Sequence, residues 1–128
     1  MKTALTIAGS DCSGGAGIQA DIKSISANGV FAMSVITAVT VQNTMGVFGV
    51  QDINPDIISG QIKAIFDDIE VDAVKIGMVS KIESIKAIAN SLKKIKDLPQ
   101  VVLDPVMVSK SGFNLLSQDA KETLITEL

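Results

Sequence analysis

The stretch AGSDCSGGAGIQAD, residues 8–21, sets the fold of the chain around it. It holds four glycines, two serines and two aspartates. Before it, Thr3 to Ala8 is a short apolar run that reads as a buried strand ending at Gly9. After it, Ile18, Ile22 and Ile25 recur at helical spacing, and Asn28-Gly29 supplies a helix stop. A strand that passes into a helix through such a loop places the loop outside the carboxyl end of a sheet, where open parallel sheets bind ligands. Glycines let backbone amides come close to a ligand, and the helix N-terminus favours an anion or a polar group.

Outward from the loop, strand and helix signals alternate. Ser34 to Val41 (SVITAVTV) is β-branched and nearly all apolar, the pattern of a strand covered on both faces. Val47 to Ile53 alternates more and belongs nearer a sheet edge. Asn54-Pro55 is a capping residue followed by proline at the first helical position. Ile58, Ile62, Ile65, Phe66 and Ile69 form one apolar stripe behind it. Ala73 to Ile76 is a short strand that runs into Gly77-Met78. Ser80-Lys81-Ile82-Glu83 has the spacing of a capping box, with Ile82, Ile85, Ile88, Leu92 and Ile95 as the stripe of the next helix. Val101 to Leu103 is a strand running into Asp104-Pro105. Lys110-Ser111-Gly112 reads as loop, and Ser117 caps a last helix whose inner face carries Leu124, Ile125 and Leu128. This rhythm predicts an α/β fold with a mostly parallel sheet and helices on both faces. The last stripe runs to residue 128 without a stop signal, which is expected either of a frayed end or of the first part of a longer domain.

Composition narrows the function classes. The chain has 128 residues, 47% hydrophobic and 20% charged, enough for one domain with a core. A net charge of −3 and a pI near 4.8 disfavour nucleic acid as a partner, and no Lys/Arg stripe interleaves with aromatics. With no histidine, Ser-His-Asp and Cys-His catalysis and histidine-ligated metals are excluded within the chain. One cysteine, Cys12, cannot make an internal disulfide, which suits a reducing cytoplasm. No apolar stretch reaches membrane-spanning length and no signal-peptide pattern opens the chain, so neither a membrane nor export is expected.

The glycine loop fails two specific tests. Gly9 to Gly14 has the spacing of a Walker A loop, but Gly15 and Ala16 stand where Lys and Ser/Thr are needed. Gly15, Gly17 and Ala20 match a dinucleotide fingerprint, but they begin six residues after the first glycine. No acidic residue stands about 20 positions later to hold a ribose.

Four segments in order, AGSDCSGGAGIQAD, SVITAVTVQNT (34–44), KIGMVS (75–80) and VVLDPVMVSKSG (101–112), resemble hydroxymethylpyrimidine/phosphomethylpyrimidine kinases of thiamine biosynthesis, in the ribokinase-like superfamily. The resemblance implies a three-layer α/β/α fold. Residues 1–128 would be the N-terminal part of a single kinase domain. It implies ATP and Mg²⁺ as cofactors and a small pyrimidine alcohol as partner. Family members are often dimers, so a homodimer is a further expectation. Gly9 and Ala16 would line the pocket with backbone. Asp21, on the first turn or two of the helix, would hold the polar edge of the substrate, or else answer the helix dipole as an ordinary N-terminal carboxylate. Gln42 would pair its carboxamide with an aminopyrimidine edge. Met78 and Val106 would wall the ring. Asp104 would sit near the phosphates and help organise Mg²⁺, through water, although an Asp-Pro turn is an equal reading of that residue. No catalytic residue is expected in this chain, because the family's base and glycine-rich anion hole lie further along. On that reading the chain alone lacks the donors that stabilise a transferring phosphoryl group. The alternatives are a pyridoxal kinase of the same superfamily and a non-catalytic ligand-binding half-domain. Lys75, inside a buried-looking strand, needs a partner that the sequence does not name.

Overall fold

The structure, a computed structural model, describes residues 1–104. The elements are β1 (Thr3–Asp11), α1 (Gly17–Ala27), β2 (Phe31–Asn43), β3 (Gly46–Asp52), α2 (Pro55–Asp68), β4 (Ala73–Ile76), α3 (Ile82–Lys93) and β5 (Gln100–Leu103). The expected helix after Ser117, the Lys110–Gly112 loop and Val106 lie outside the described residues.

One sheet runs in the order β3-β2-β1-β4-β5. β2, β1, β4 and β5 are parallel, and β3 returns antiparallel along the edge, so the sheet is mixed. The chain leaves β1 in one direction to reach β2 and later returns past it to β4. The order of strands therefore reverses between β1 and β4, and the crevice outside their carboxyl ends is a topological switch point.

Alternation along β1 divides the two faces. Leu5 and Ile7 are fully buried and join a cluster with Ile58 and Ile62 of α2 and Ile85, Ile88 and Leu92 of α3. Thr6, between them, points the other way and donates to Asp21 of α1. α2 and α3 thus cover one face and α1 the other, the three-layer arrangement the alternating signals predict.

Three boundaries differ from the sequence reading. β1 does not stop at Gly9. Its register with β2 slips between Ala8 and Ser10, so Gly9 sits in a bulge and Ser10 and Asp11 resume pairing with Val39 and Thr40. β2 is longer than residues 34–41 and is not covered along its whole length: Val39 and Val41 are 47% and 62% exposed. Thirteen residues of strand extend about 43 Å, whereas an 11- or 14-residue helix covers about 16–21 Å. The capping box fails as well. α3 starts at Ile82 with Lys81 as its cap and no side-chain cap bond, leaving Ser80 one residue too early.

Elsewhere the signals hold. Asn54 accepts from the Asp56 amide at 2.8 Å ahead of Pro55. Asn28 caps α1, and Gly29 follows at φ +76°. β3 pairs with β2 only from Ala38 outward. Next along the exposed backbone, the Ile36 N–H donates to Gln61 Oε1 and the Ile36 C=O accepts from Gln61 Nε2, both at 3.0 Å, which blunts that stretch of edge. No described helix is long and apolar enough to cross a membrane.

Candidate functional site

The site begins with a carboxylate that sequence reasoning passed over. Asp11 ends β1 and is 3% exposed. Its Oδ1 accepts from the Ser13 amide at 2.9 Å and the Ser13 hydroxyl at 2.6 Å, and its Oδ2 accepts from the Gly15 amide at 3.0 Å. Its carbonyl accepts from the Gly14 amide. Burial raises its pKa, but the Ser13 hydroxyl and the amides of Ser13, Ala16 and Gly15 outweigh that effect and hold the carboxyl below its usual range. The available signal was Asp followed two residues later by Ser in a loop, the spacing of an Asx-turn.

Gln19 fastens the same loop from the first turn of α1. Its Oε1 accepts from the Asp11 amide at 2.8 Å and its Nε2 donates to Ser10 Oγ at 2.7 Å. Two glycines are required by geometry. Gly14 and Gly17 have φ of +84° and +60°. A Cβ on Gly17 would also lie 2.3 Å from the Gly9 carbonyl oxygen, so a side chain there is excluded by both conformation and space.

The remaining predicted residues fall into two groups. The first surrounds the switch point. Gly9 is buried, and a methyl placed on it would lie 3.5 Å from Met78 Cε and 3.6 Å from the Ala38 oxygen. Gln42, half-buried on β2, donates from Nε2 to Thr40 Oγ1 at 2.6 Å, and Thr40 donates to the Ser10 carbonyl at 2.7 Å. The Cys12 thiol, exposed, donates to the Gln42 carbonyl at 3.1 Å. Loop, Gln42, Gly9 and Met78 are thereby joined at the carboxyl ends of three strands. Ala16 is exposed and is the N-cap of α1, without a side-chain cap bond.

The second group lies beside it, on the α1 face. Lys75 of β4 has the partners that the sequence could not name. Its ammonium donates to Asp21 Oδ1 at 2.5 Å and lies 3.8 Å from Asp104 Oδ2. The other oxygen of Asp21 accepts from Thr6 at 2.6 Å. Strand register explains the meeting: Ser34, Thr6, Lys75 and Val102 form one row across β2, β1, β4 and β5. Asp104 follows β5 directly, and its amide donates to the Ile76 carbonyl at 2.9 Å. Its side chain is 64% exposed. Among the described residues no group of three or more His, Cys, Asp or Glu side chains could hold a metal ion. Asp104 thus stands as an exposed carboxylate at a strand end, 3.8 Å from the Lys75 ammonium, a donor that suits Mg²⁺ only if phosphates and water complete the shell.

An open concavity at the opposite, amino-terminal ends of the strands is lined by Lys2, Thr3, Glu70 and Asp72 among others. Its polar groups already serve Thr3, whose amide and hydroxyl bond Asp72 and the Glu70 carbonyl. No chemistry converges there.

An open α/β sheet with a glycine-rich first turn at the switch point, and an acidic strand end beside it, is the arrangement of ribokinase-like small-molecule kinases. The crystal structure of phosphomethylpyrimidine kinase from Clostridium difficile 630 superposes with a TM-score of 0.91 and 58% identity, over 99% of this chain and 55% of that one. An ADP complex of Bacillus subtilis pyridoxal kinase gives 0.83 and 38%, over 99% and 46%. The phosphomethylpyrimidine kinase family model matches residues 11–128, and the chain belongs to that family. The hydroxymethylpyrimidine/phosphomethylpyrimidine kinase of Rhizobium meliloti (strain 1021) is 56% identical over 98% of this chain. That match covers 46% of the relative, so the chain spans about half the length of the curated relatives it matches.

Proposed function

We propose that the protein serves the ATP-dependent phosphorylation of 4-amino-5-hydroxymethyl-2-methylpyrimidine and its monophosphate in thiamine biosynthesis, with these residues carrying the substrate-binding half of a kinase domain. The observation that carries the reading is the approach of Met78 Cε to 3.5 Å from a methyl placed on Gly9 at the switch point, with Gln42 tied to the same loop through Thr40 and the Ser10 carbonyl. There an open backbone, a soft thioether wall and a donor–acceptor carboxamide suit a flat ring with an amino edge. Asp21 keeps lone pairs beyond those that Thr6 and Lys75 use, and with them it would hold a polar edge of the ring. Ala16 would contribute backbone, and Val106 would complete the wall. When ATP is bound, Mg²⁺ would supply charge neutralisation at the phosphates, with Asp104 holding it through water. The base and the anion hole would come from outside these residues, so the chain alone would not turn over. A cytoplasmic setting and a homodimer belong to the same reading. The single exposed thiol suits the first. The exposed Val41, Met45 and Phe48 of the β2–β3 hairpin suit the second.

Calorimetric titration of the chain with 4-amino-5-hydroxymethyl-2-methylpyrimidine, with pyridoxal beside it, tests the proposal. Binding of the pyrimidine that is lost in Gln42→Ala is the expected result. Preference for pyridoxal would favour the pyridoxal kinase alternative. No binding by a chain whose far-UV circular dichroism is that of a folded α/β protein would overturn the pocket assignment.

A further inference from the structure

A glycine-rich turn leading into a helix N-terminus is ordinarily a seat for phosphate, because free amides and the helix dipole converge on one point. Here amides of the turn ahead of the helix already hold an anion. Asp11 is the one charged residue between Gly9 and Gly17. Its two oxygens take the Ser13 amide, the Ser13 hydroxyl and the Gly15 amide, and it is 3% exposed. The backbone that carries it is fixed from both sides, by Gln19 on its amide and by the Gly14 amide on its carbonyl.

We infer that Asp11 is a positioning residue: an internal anion that occupies the phosphate seat of the glycine loop and holds the loop as a preset wall of the substrate site. The ligand class rests on the function proposed above, whereas the occupied seat is a property of the loop itself. The loop then offers a ligand its Cα surfaces and carbonyls, with the Gln42 carboxamide behind them, while its Ser13, Gly14 and Gly15 amides are already engaged. The loop reads the ring, and any phosphate on the substrate or on ATP is gripped elsewhere. Carbonyl oxygens and a buried carboxylate also make this wall repel a misplaced phosphate, which favours one orientation of a phosphorylated substrate.

The test uses the ¹⁵N-labelled 128-residue chain, wild type, Asp11→Ala and Asp11→Asn, with circular dichroism confirming the fold of each. In the wild type the amides of Gly14, Gly15 and Gly17 should not move with inorganic phosphate at about 10 mM. In Asp11→Ala the emptied seat should bind phosphate saturably, and formate should return the Gly15 amide to its wild-type exchange rate. Should Asp11→Ala fail to fold, Asp11→Asn decides by hydrogen exchange: the Gly15 amide should exchange at least about tenfold faster than in the wild type. Saturable phosphate shifts in the wild-type loop, or unchanged Gly15 exchange in the variants, would overturn the inference. In the pyrimidine titration, Asp11→Ala should weaken binding by about tenfold or more and formate should restore it. Equal affinity in a variant with a loosened loop would overturn the positioning role. A wild type that does not bind pyrimidine would remove the proposed function, while the phosphate and exchange results would still decide whether Asp11 fills the seat.

Discussion

The two faces of the sheet are held by different physics. On the α2/α3 face, Leu5, Ile7, Val35, Ile58, Ile62, Val74, Ile76, Ile85 and Ile88 are all within 1% of complete burial. On the α1 face the same strands present Ala4, Thr6, Ser34, Ala73 and Lys75, and α1 buries only Ile18. Nondirectional burial stabilises the first face, roughly in proportion to apolar area. The second is organised by directed contacts: Thr6 and Lys75 on Asp21, Gln19 on Ser10 and Asp11, and Asp11 on its own loop. Stability is concentrated behind the sheet, and the shape of the site is set in front of it.

That division is sharpest in a core variant. Ile85→Ala removes a fully buried side chain where α3 meets the sheet. It should cost about 3 kcal/mol of unfolding free energy in urea denaturation. Native-state exchange of the glycine-loop amides, read under conditions where the chain remains folded, should stay local and unchanged. Loosening of the loop by Ile85→Ala would show that the faces are not separable.

The counterpart lies on the α1 face. Lys75 is about one-third exposed and shared between Asp21 and the more distant Asp104. Lys75→Met should lower stability by about 1 kcal/mol, less than the core variant, because part of the ion pair is screened by solvent. In a double-mutant cycle with Asp21→Asn the two effects should couple by a similar amount. Strict additivity would mean that the short contact organises nothing and that Asp21 is held by Thr6 alone.

The difference between the faces also accounts for what the sequence made legible. Apolar periodicity reports burial, so the isoleucine stripes of α2 and α3 and the strand Ala73–Ile76 could be found from their residues. Lys75 could be flagged as needing a partner. That partner comes from register, because Lys75 meets Asp21 only once β1 and β4 are aligned through Thr6. Pattern along one strand carries no such information. β1 passed through Gly9 because a bulge and a stop have the same local composition. The Ser80 capping box failed because its spacing was right and its phase was wrong by one residue. Asp11 and Gln19 were missed for a related reason. Each is an unremarkable polar residue until the loop closes, and then their hydrogen bonds define it. The proposed pocket residues Gly9, Gln42 and Met78 rest on the family resemblance, with the strand ends as the physical reason for their placement.

The smallest expected effect is the most specific to the loop. The Asp11 carboxyl is held below its ordinary range in the folded chain, so folding favours its ionised form. Its contribution to stability is therefore complete above the unfolded carboxylate pKa, about 4. It is lost as the pH falls through that value toward the lower folded one. Asp11→Asn cannot titrate. At neutral pH the wild type should be the more stable of the two. The gap should begin to narrow at about pH 4, where the unfolded carboxyl takes up its proton, and stop narrowing once the carboxyl is protonated in both states. Urea midpoints of both proteins across this range measure the gap directly. The two proteins differ at Asp11 alone, so contributions from the rest of the chain cancel in the difference. A gap that stays constant down to the acid limit would mean that the charge on Asp11 contributes nothing and that its neutral hydrogen bonds alone shape the loop. A narrowing gap would place part of the stability of the α1 face in one buried charge, whereas among the described residues no titratable group takes part in the cluster behind the sheet.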